Sequence, residues 1–329
     1  MSRVNATSSQ SRAALELVVS LQQRFLKALG GGFTPIEWLR DGGKRGGGVR
    51  FSCAETSLFN RASVNVSQVQ YEDDEARPIR GATALSTIIH PAHPRAPSVH
   101  IHLSFTEPRT GPGVWRLMAD LNPALPNAAQ TARFTEAMSA AVPALAAQAQ
   151  RDGAAYFNIP ALGRTRGVSH FYVEGYQTGA FERDVATARR FGEAAIDTYA
   201  RLFHEQPTML PTLNERLAQR AYHTAYFFQV LTLDRGTSSG LLAHDQNDLG
   251  VMGSLPAFID VELLRSWAAK VPPPQDALVR ALADAAGGGH VTDEVRGKLA
   301  AIVRAHYRAH PDALKLQAVT PSEIPPNAR

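Results

Sequence analysis

Residues 99–105, VHIHLSF, alternate without a break: Val99, Ile101, Leu103 and Phe105 fall at one parity, His100, His102 and Ser104 at the other. Successive side chains of a strand point to opposite faces, so this stretch predicts a strand with one apolar and one polar face. A strand of that kind needs a sheet around it and a second layer to cover the apolar side. The flanking sequence supplies the sheet. Val64, Val66 and Val69 sit loosely among polar residues in ASVNVSQVQY (62–71), and ATALSTIIH follows at 82–90.

Helical periods lie elsewhere. Residues 13–29 place Leu15, Val18, Val19, Leu21, Phe25, Leu26 and Leu29 near helical spacing, with Ser11 as N-cap and Gly30 to Gly32 ending the element. Residues 130–150 and 181–206 read as helices, the second stopped by Pro207. AYHTAYFFQVLTLDRG (221–236) reads as a long late strand closing in a turn at Asp234–Gly236, with Asp234 as a cap. The chain after Pro272–Pro274 is Ala-rich and helical, Thr292 capping its last helix, and the tail VTPSEIPPNAR reads as disordered. DGGKRGGGVRF (41–51) carries five glycines around Lys44 and Arg45. It lacks P-loop spacing, since no Ser or Thr follows the lysine, and is expected to be a loop. Strands grouped apart from helices, without βαβ alternation, imply an α+β fold with a large, mainly antiparallel sheet flanked by helices.

Composition narrows the function. With 329 residues, 44% hydrophobic and 19% charged, the chain can bury a sizeable core. A net charge of +4 and no basic run with interleaved aromatics give no support to nucleic-acid binding. No stretch approaches 18 apolar residues, and the opening MSRVNATSSQSR lacks a signal-peptide core. Cys53 is the single cysteine, which excludes an internal disulfide and any Cys-rich metal site and fits a reducing, cytoplasmic compartment. It reads as a small packed side chain.

The chemistry concentrates in HPAHPRAPSVHIHLSF (90–105), where His90, His93, His100 and His102 fall within thirteen positions. His100 and His102 share a strand face roughly 6.6 Å apart, close enough to converge on one ion. Imidazole is equally a neutral-pH acid or base, and an exposed polar strand face is the plain alternative. His93, in a Pro-rich loop, has only a surface role to claim.

RGGGVRF, FNRASVNVSQV, LSTIIHPAHPRAPSVHIHLSF and VWRLMADLNP stand here in order, followed by FERDVATARRFGEAAIDTYARLFHEQ, LTLDRGTSSGL and MGSLP. Over about residues 33–258 this resembles the oxygen-dependent coproporphyrinogen III oxidases. The resemblance implies one sheet-and-helix catalytic domain, usually dimeric, that uses molecular oxygen to decarboxylate two propionates to vinyls. It implies no haem, flavin or nicotinamide. His100 falls on that family's proton-transfer histidine, and Asp120 on the aspartate thought to hold the pyrrole NH groups. Ser86 and His90 fall on a serine and a histidine before the active-site strand, and Asn65 on the asparagine of its VN motif.

The departures are specific. His102 and Ser104 replace the family's Asn and Arg, and His244, Asp245 and Gln246 replace a GGR substrate loop. His170 stands where glycines run, and Glu174 where the family has aspartate. Arg133 and Ala161 lie near its metal-assigned histidines. Carboxylate-gripping arginines are thus lost while histidines arrive, so His90, His100, His102, His170 and His244 form a candidate cluster for iron, copper or zinc. Ser86, Asn65, His102, Ser104, His244, Asp245 and Gln246 are the candidate substrate contacts.

Three readings stand. The first is an oxidase-like enzyme remodelled for a smaller or less acidic small-molecule substrate. The second is a genuine coproporphyrinogen oxidase whose propionates meet Arg50, Arg95 or Arg116. The third is a non-catalytic tetrapyrrole-binding protein. The expected layout is a catalytic unit over 1–268 and a helical extension with tail over 269–329, as a homodimer without nucleic-acid or membrane partners.

Overall fold

The structure is a computed structural model that describes residues 3–318. The tail read as disordered, 319–329, lies outside the described residues.

Seven strands lie side by side in chain order: β1 (Thr34–Leu39), β2 (Gly46–Ala54), β3 (Phe59–Gln70), β4 (Ile79–Pro91), β5 (Ser98–Pro108), β6 (Val114–Asn122) and β7 (Ser169–Tyr176). Every neighbouring pair is antiparallel, so short connections suffice between most of them. The α+β class with a flanked antiparallel sheet is the observed one.

Register then separates the two faces. On one, Val66, Leu85, Leu103, Leu117 and Val173 stand in a row across β3 to β7. They join the core made with Leu17, Leu21 and Phe25 of α1 (Ser9–Leu29), Phe134 and Met138 of α2 (Ala128–Ala141), and Phe191 and Ile196 of α4 (Phe181–His204). Burial of such side chains contributes roughly 1.5–3 kcal/mol each and fixes the register, because a one-residue slip would turn every apolar group outward. The opposite face carries two polar rows. One runs Ser63, Ile88, His100, Asp120, His170, and the other Asn65, Ser86, His102, Met118, Tyr172.

Three local expectations are corrected. The N-cap of α1 is Ser8, whose side chain accepts from the Ser11 backbone, while Ser11 itself donates to Glu107. The 130–150 helix is two, α2 and α3 (Ala146–Tyr156), because Pro143 cannot continue the ladder. The glycine stretch 46–48 is strand, not loop. Gly46 has φ +90°, and a Cβ there would meet the Gln68 carbonyl oxygen at 2.2 Å.

The largest correction is 221–236, which is helix over most of its length. α5 (Leu213–Thr232) starts at a capping box between Thr212 and Glu215, and residues 222–232 are all buried. A helix buried on every side shows no 3.6-residue period, and its aromatic content imitates a strand. LDRGT is not a terminal turn: Asp234 caps α6 (Arg235–Ala243) by accepting from Thr237. Beyond α7 (Asp248–Val251) and α8 (Val261–Ser266), α9 (Gln275–Ala286) and α10 (Asp293–Ala309) pack on α5 in a second apolar cluster that includes Phe228, Leu282 and Val303. Thr292 caps α10 as expected. Residue 268 falls inside this cluster, so α9 and α10 share the core of the elements before them.

Gly46→Ala is expected to cost about 1–3 kcal/mol through the strained φ and the carbonyl contact, read as a lower urea midpoint at unchanged slope. A neutral result would show that β2 can shift away from β3.

Candidate active site

The polar sheet face, covered by α5 to α7, encloses a cleft of two lobes. The inner, about 270 Å³, is lined by His100, Asn65, Ser86, Arg166, Tyr226 and Asp234 among others. The outer, about 250 Å³, is lined by Trp38, Arg40, Tyr71, Ser104, Glu174 and His244 among others. His102, Arg116 and Tyr156 border both.

Asp120 lies beneath the inner lobe with no solvent exposure. Its carboxylate accepts from His100 Nδ1 at 2.9 Å, Arg166 Nη2 at 2.8 Å and Asn122 Nδ2 at 2.6 Å. Burial alone would raise this carboxyl, but the Arg166 charge and the His100 hydrogen bond outweigh it and hold it well below the usual carboxylate range. The Asp120 carboxylate makes Nδ1 of His100 the donor, so Nε2 is the uncommitted nitrogen of a ring that lines the lobe. Arg166 is held in turn by Gln229 Oε1 at 2.6 Å and by the rings of Phe157 (4.4 Å) and Tyr226 (4.7 Å). The cluster matches an oriented acid–base histidine. The Asp120 oxygens, committed to His100, Arg166 and Asn122, hold the His100 ring in place.

His102 is half-buried, and its ring makes no hydrogen bond among the described residues. Burial lowers its pKa to about 3, so it is neutral. Asn65 Oδ1, also on the inner lobe, is a buried acceptor without a partner. Arg116 pairs with Glu174, which also accepts from the Tyr172 hydroxyl at 2.6 Å. Tyr172 stacks on Tyr156 at 4.5 Å, and the Tyr156 hydroxyl donates to Asp234 at 3.2 Å.

In the outer lobe Arg40 is 7% exposed, its guanidinium carbon 5.2 Å above the Tyr71 ring. Its side chain makes no hydrogen bond or ion pair among the described residues, and Nε is buried without a partner. A buried cation on a cavity wall without an acid beside it can take an anion as its partner.

The histidine cluster does not assemble. Among the described residues no group of three or more His, Cys, Asp or Glu side chains is placed to hold a metal ion. The reason is partner by partner. His90 is fully buried with Nδ1 on Ser98 at 3.0 Å and Nε2 on the Ser254 carbonyl at 3.1 Å, so neither nitrogen has a lone pair to give a cation. His170 packs on Phe157 with its Nδ1 unpartnered and its pKa lowered by burial to about 4. His244 stacks on Trp38 at 5.9 Å in the outer lobe. His100 spends Nδ1 on Asp120. The residues present do not fit a resident metal.

Other expected contacts divide. Ser86, Asn65, His102, Ser104 and His244 line the cleft. Asp245 and Gln246 are exposed, and Gln246 donates to Asp41 at 3.0 Å instead. Arg95 is spent on Glu215 at the surface and Arg50 lies against Ser52 and Asn247, so of the three arginines expected to meet propionates only Arg116 reaches the cleft. Arg133 pairs with Glu205 and Ala161 packs in the second cluster. Sequence reading missed Arg40, Arg166, Tyr156, Tyr226 and Gln229. Arg40 stands immediately before the glycine stretch 41–51, and Tyr226 and Gln229 lie in the segment read as a strand.

Residues 14–284 match the family model for coproporphyrinogen III oxidase. The chain belongs to the coproporphyrinogen III oxidase family. It is 28% identical over 258 residues to the oxygen-dependent coproporphyrinogen-III oxidase of Rickettsia bellii, covering 72% of this chain and 88% of the relative. The Rickettsia felis protein of the same name is 26% identical over 238 residues, 68% of this chain and 83% of its own. The mitochondrial protein of that name from Mus musculus is 23% identical over 270 residues, 74% of this chain and 59% of its own. The family match runs past residue 268 into α9.

Asp120→Asn should leave the buried Arg166 charge unmatched and cost about 3–5 kcal/mol, read as a lower melting temperature. Acid should weaken the fold in a defined window. Burial lowers His102 to about 3 and His170 to about 4, against about 6.5 when unfolded, so below pH 6.5 the unfolded chain takes up protons that the folded chain refuses. Stability is therefore full above pH 6.5 and falls toward pH 4. The urea midpoint between pH 7.5 and 4.5 should follow that line, with a shallower slope in His170→Phe.

Proposed function

We propose that this member of the family is an oxygen-dependent oxidative decarboxylase whose substrate is a pyrrolic carboxylate smaller or less acidic than coproporphyrinogen. Family membership makes it an oxygen-dependent oxidoreductase with molecular oxygen as co-substrate. The observation that carries the finer reading is the charge balance of the cleft. Arg116 and Arg166 already hold carboxylates of the protein, Arg235 on the outer lobe has a partner of its own, and Arg40 presents its charge unmatched. Neutral His102 and Ser104 stand where the resemblance leads one to expect Asn and Arg. A tetracarboxylate needs several cations, each worth about 1.5–3 kcal/mol when buried.

For a propionate-type side chain the reaction balances as R–CH2–CH2–COO⁻ + O2 + H⁺ giving R–CH=CH2 + CO2 + H2O2. The bond to the carboxylate carbon breaks, a hydrogen leaves the carbon next to the ring, and oxygen takes up two electrons. In this reading His100 Nε2 handles a proton at the reacting side chain, and Asp120 with Arg166 fixes the ring that does so. Asn65 Oδ1 and Ser86 accept pyrrole N–H groups, His102 and Ser104 shape the passage between the lobes, and Arg40 grips one carboxylate. No step is routed through a metal. The reading includes a homodimer, supported by the resemblance, and a cytoplasmic location, supported by the single cysteine.

The test is oxygen uptake and CO2 release with coproporphyrinogen III and with pyrroles or porphyrinogens bearing one or two carboxylates. The expected outcome is a kcat/KM at least tenfold higher for a less acidic substrate. Turnover highest with coproporphyrinogen III would restore the unmodified activity, and no turnover with any would favour a binding protein. His100→Ala should lower kcat at least a hundredfold with the fold retained. Arg40→Gln should raise KM about tenfold with kcat little changed.

A further inference from the structure

A second cavity of about 200 Å³ opens on the protein away from the cleft, between the end of β4, the start of α5 and Phe258. Arg216, Gln219, Arg220, Asn60 and His223 line it, and no acidic side chain does. Arg220 has no ion pair or side-chain hydrogen bond among the described residues, and Arg216 touches only the Pro211 carbonyl, at 3.4 Å. Glu215, the acid next in sequence to Arg216, is already taken by Arg95 and by the Thr212 cap. The cavity therefore carries uncompensated positive charge at its mouth.

Its wall carries a second, independent demand. His223 is 2% exposed and lines the cavity beside Phe258, whose carbonyl is the acceptor on offer to one ring nitrogen. Nε2 is then an acceptor, buried and without a partner. A neutral imidazole that has spent its one proton can only receive from a ligand. A buried acceptor left so costs about 1–3 kcal/mol. The occupant must therefore bring negative charge for Arg216 and Arg220 and a proton for Nε2.

We propose that this cavity binds a protonated tetrahedral oxyanion, inorganic hydrogen phosphate, with its P–OH donated to His223 Nε2 and its charged oxygens held by Arg216 and Arg220. Asn60 adds a side-chain amide, since its Oδ1 is occupied by the Ala257 N–H at 2.8 Å. The site is not part of the catalytic apparatus, but it adjoins it. The His90 ring lies 5.0 Å from His223 and 4.7 Å from Tyr226, which lines the inner lobe.

Sulfate is the discriminating control, because at pH 7.5 it matches hydrogen phosphate in shape and charge but has no proton to give. Titration calorimetry of the full chain with sodium phosphate and with sodium sulfate, at fixed ionic strength, is expected to show phosphate bound at least tenfold more tightly. Arg216→Gln with Arg220→Gln should weaken both anions about tenfold or more. His223→Phe should erase the preference while leaving sulfate binding as it was. Circular dichroism checks that these variants fold, and if His223→Phe does not, the wild-type anion comparison and the surface double variant still decide. Phenyl phosphate, with a second pKa of about 6, has no P–OH left at pH 7.5 and should bind as weakly as sulfate; binding equal to that of inorganic phosphate overturns the contact to His223. Equal affinity for phosphate and sulfate, or no saturable heat with either, overturns the proposal.

Discussion

The buried pair of Asp120 and Arg166 is the interaction on which the site depends. Two charges removed from water are stable only if each satisfies the other and the remaining donors and acceptors are met. Here Asn122, Gln229 and two aromatic rings complete the set, and His100, Arg166 and Tyr226 are the members that also line the cleft. The pair therefore does two things with one geometry. It ties β6 to the segment before β7 and to α5, and it fixes which nitrogen of His100 carries the proton.

Register extends that arrangement across the sheet. Because β3 to β7 are antiparallel neighbours with few irregularities, polar residues from distant parts of the sequence stand in line: Asn65, Ser86 and His102 in one row, His100, Asp120 and His170 in the next. The apolar rows on the other face hold this register through burial against α1, α2 and α4. Packing on one side of the sheet thus sets the placement of chemistry on the other. The C-terminal helices act on the cleft from outside. Arg304 of α10 donates to the Leu241 carbonyl at 2.8 Å and pairs with Asp248, bracing α6 and α7 where they cover the outer lobe.

Much of this was legible in the residues. The alternation at 99–105 gives a two-faced strand, and in structure His100, His102 and Ser104 do share the cleft side. Other errors have physical causes. α5 was read as a strand because burial on all sides erases helical periodicity, and with it went Tyr226 and Gln229. The five histidines do not cluster because segments that border one cleft need not turn their rings to one point. His90 lies on the expected strand, yet Ser98 and the Ser254 carbonyl use both its nitrogens.

By itself the sequence determined the fold class, the family and the two-faced character of the central strands, because alternation, capping residues and ordered motifs are local properties of the chain. Only the tertiary structure decided which polar groups are already satisfied. Whether an arginine is free to grip a substrate depends on what stands beside it: Arg116 meets Glu174 and Arg166 meets Asp120, while Arg40 lies over Tyr71 without an acid. Partnership between residues far apart in sequence is fixed by register and packing, and no local pattern encodes it.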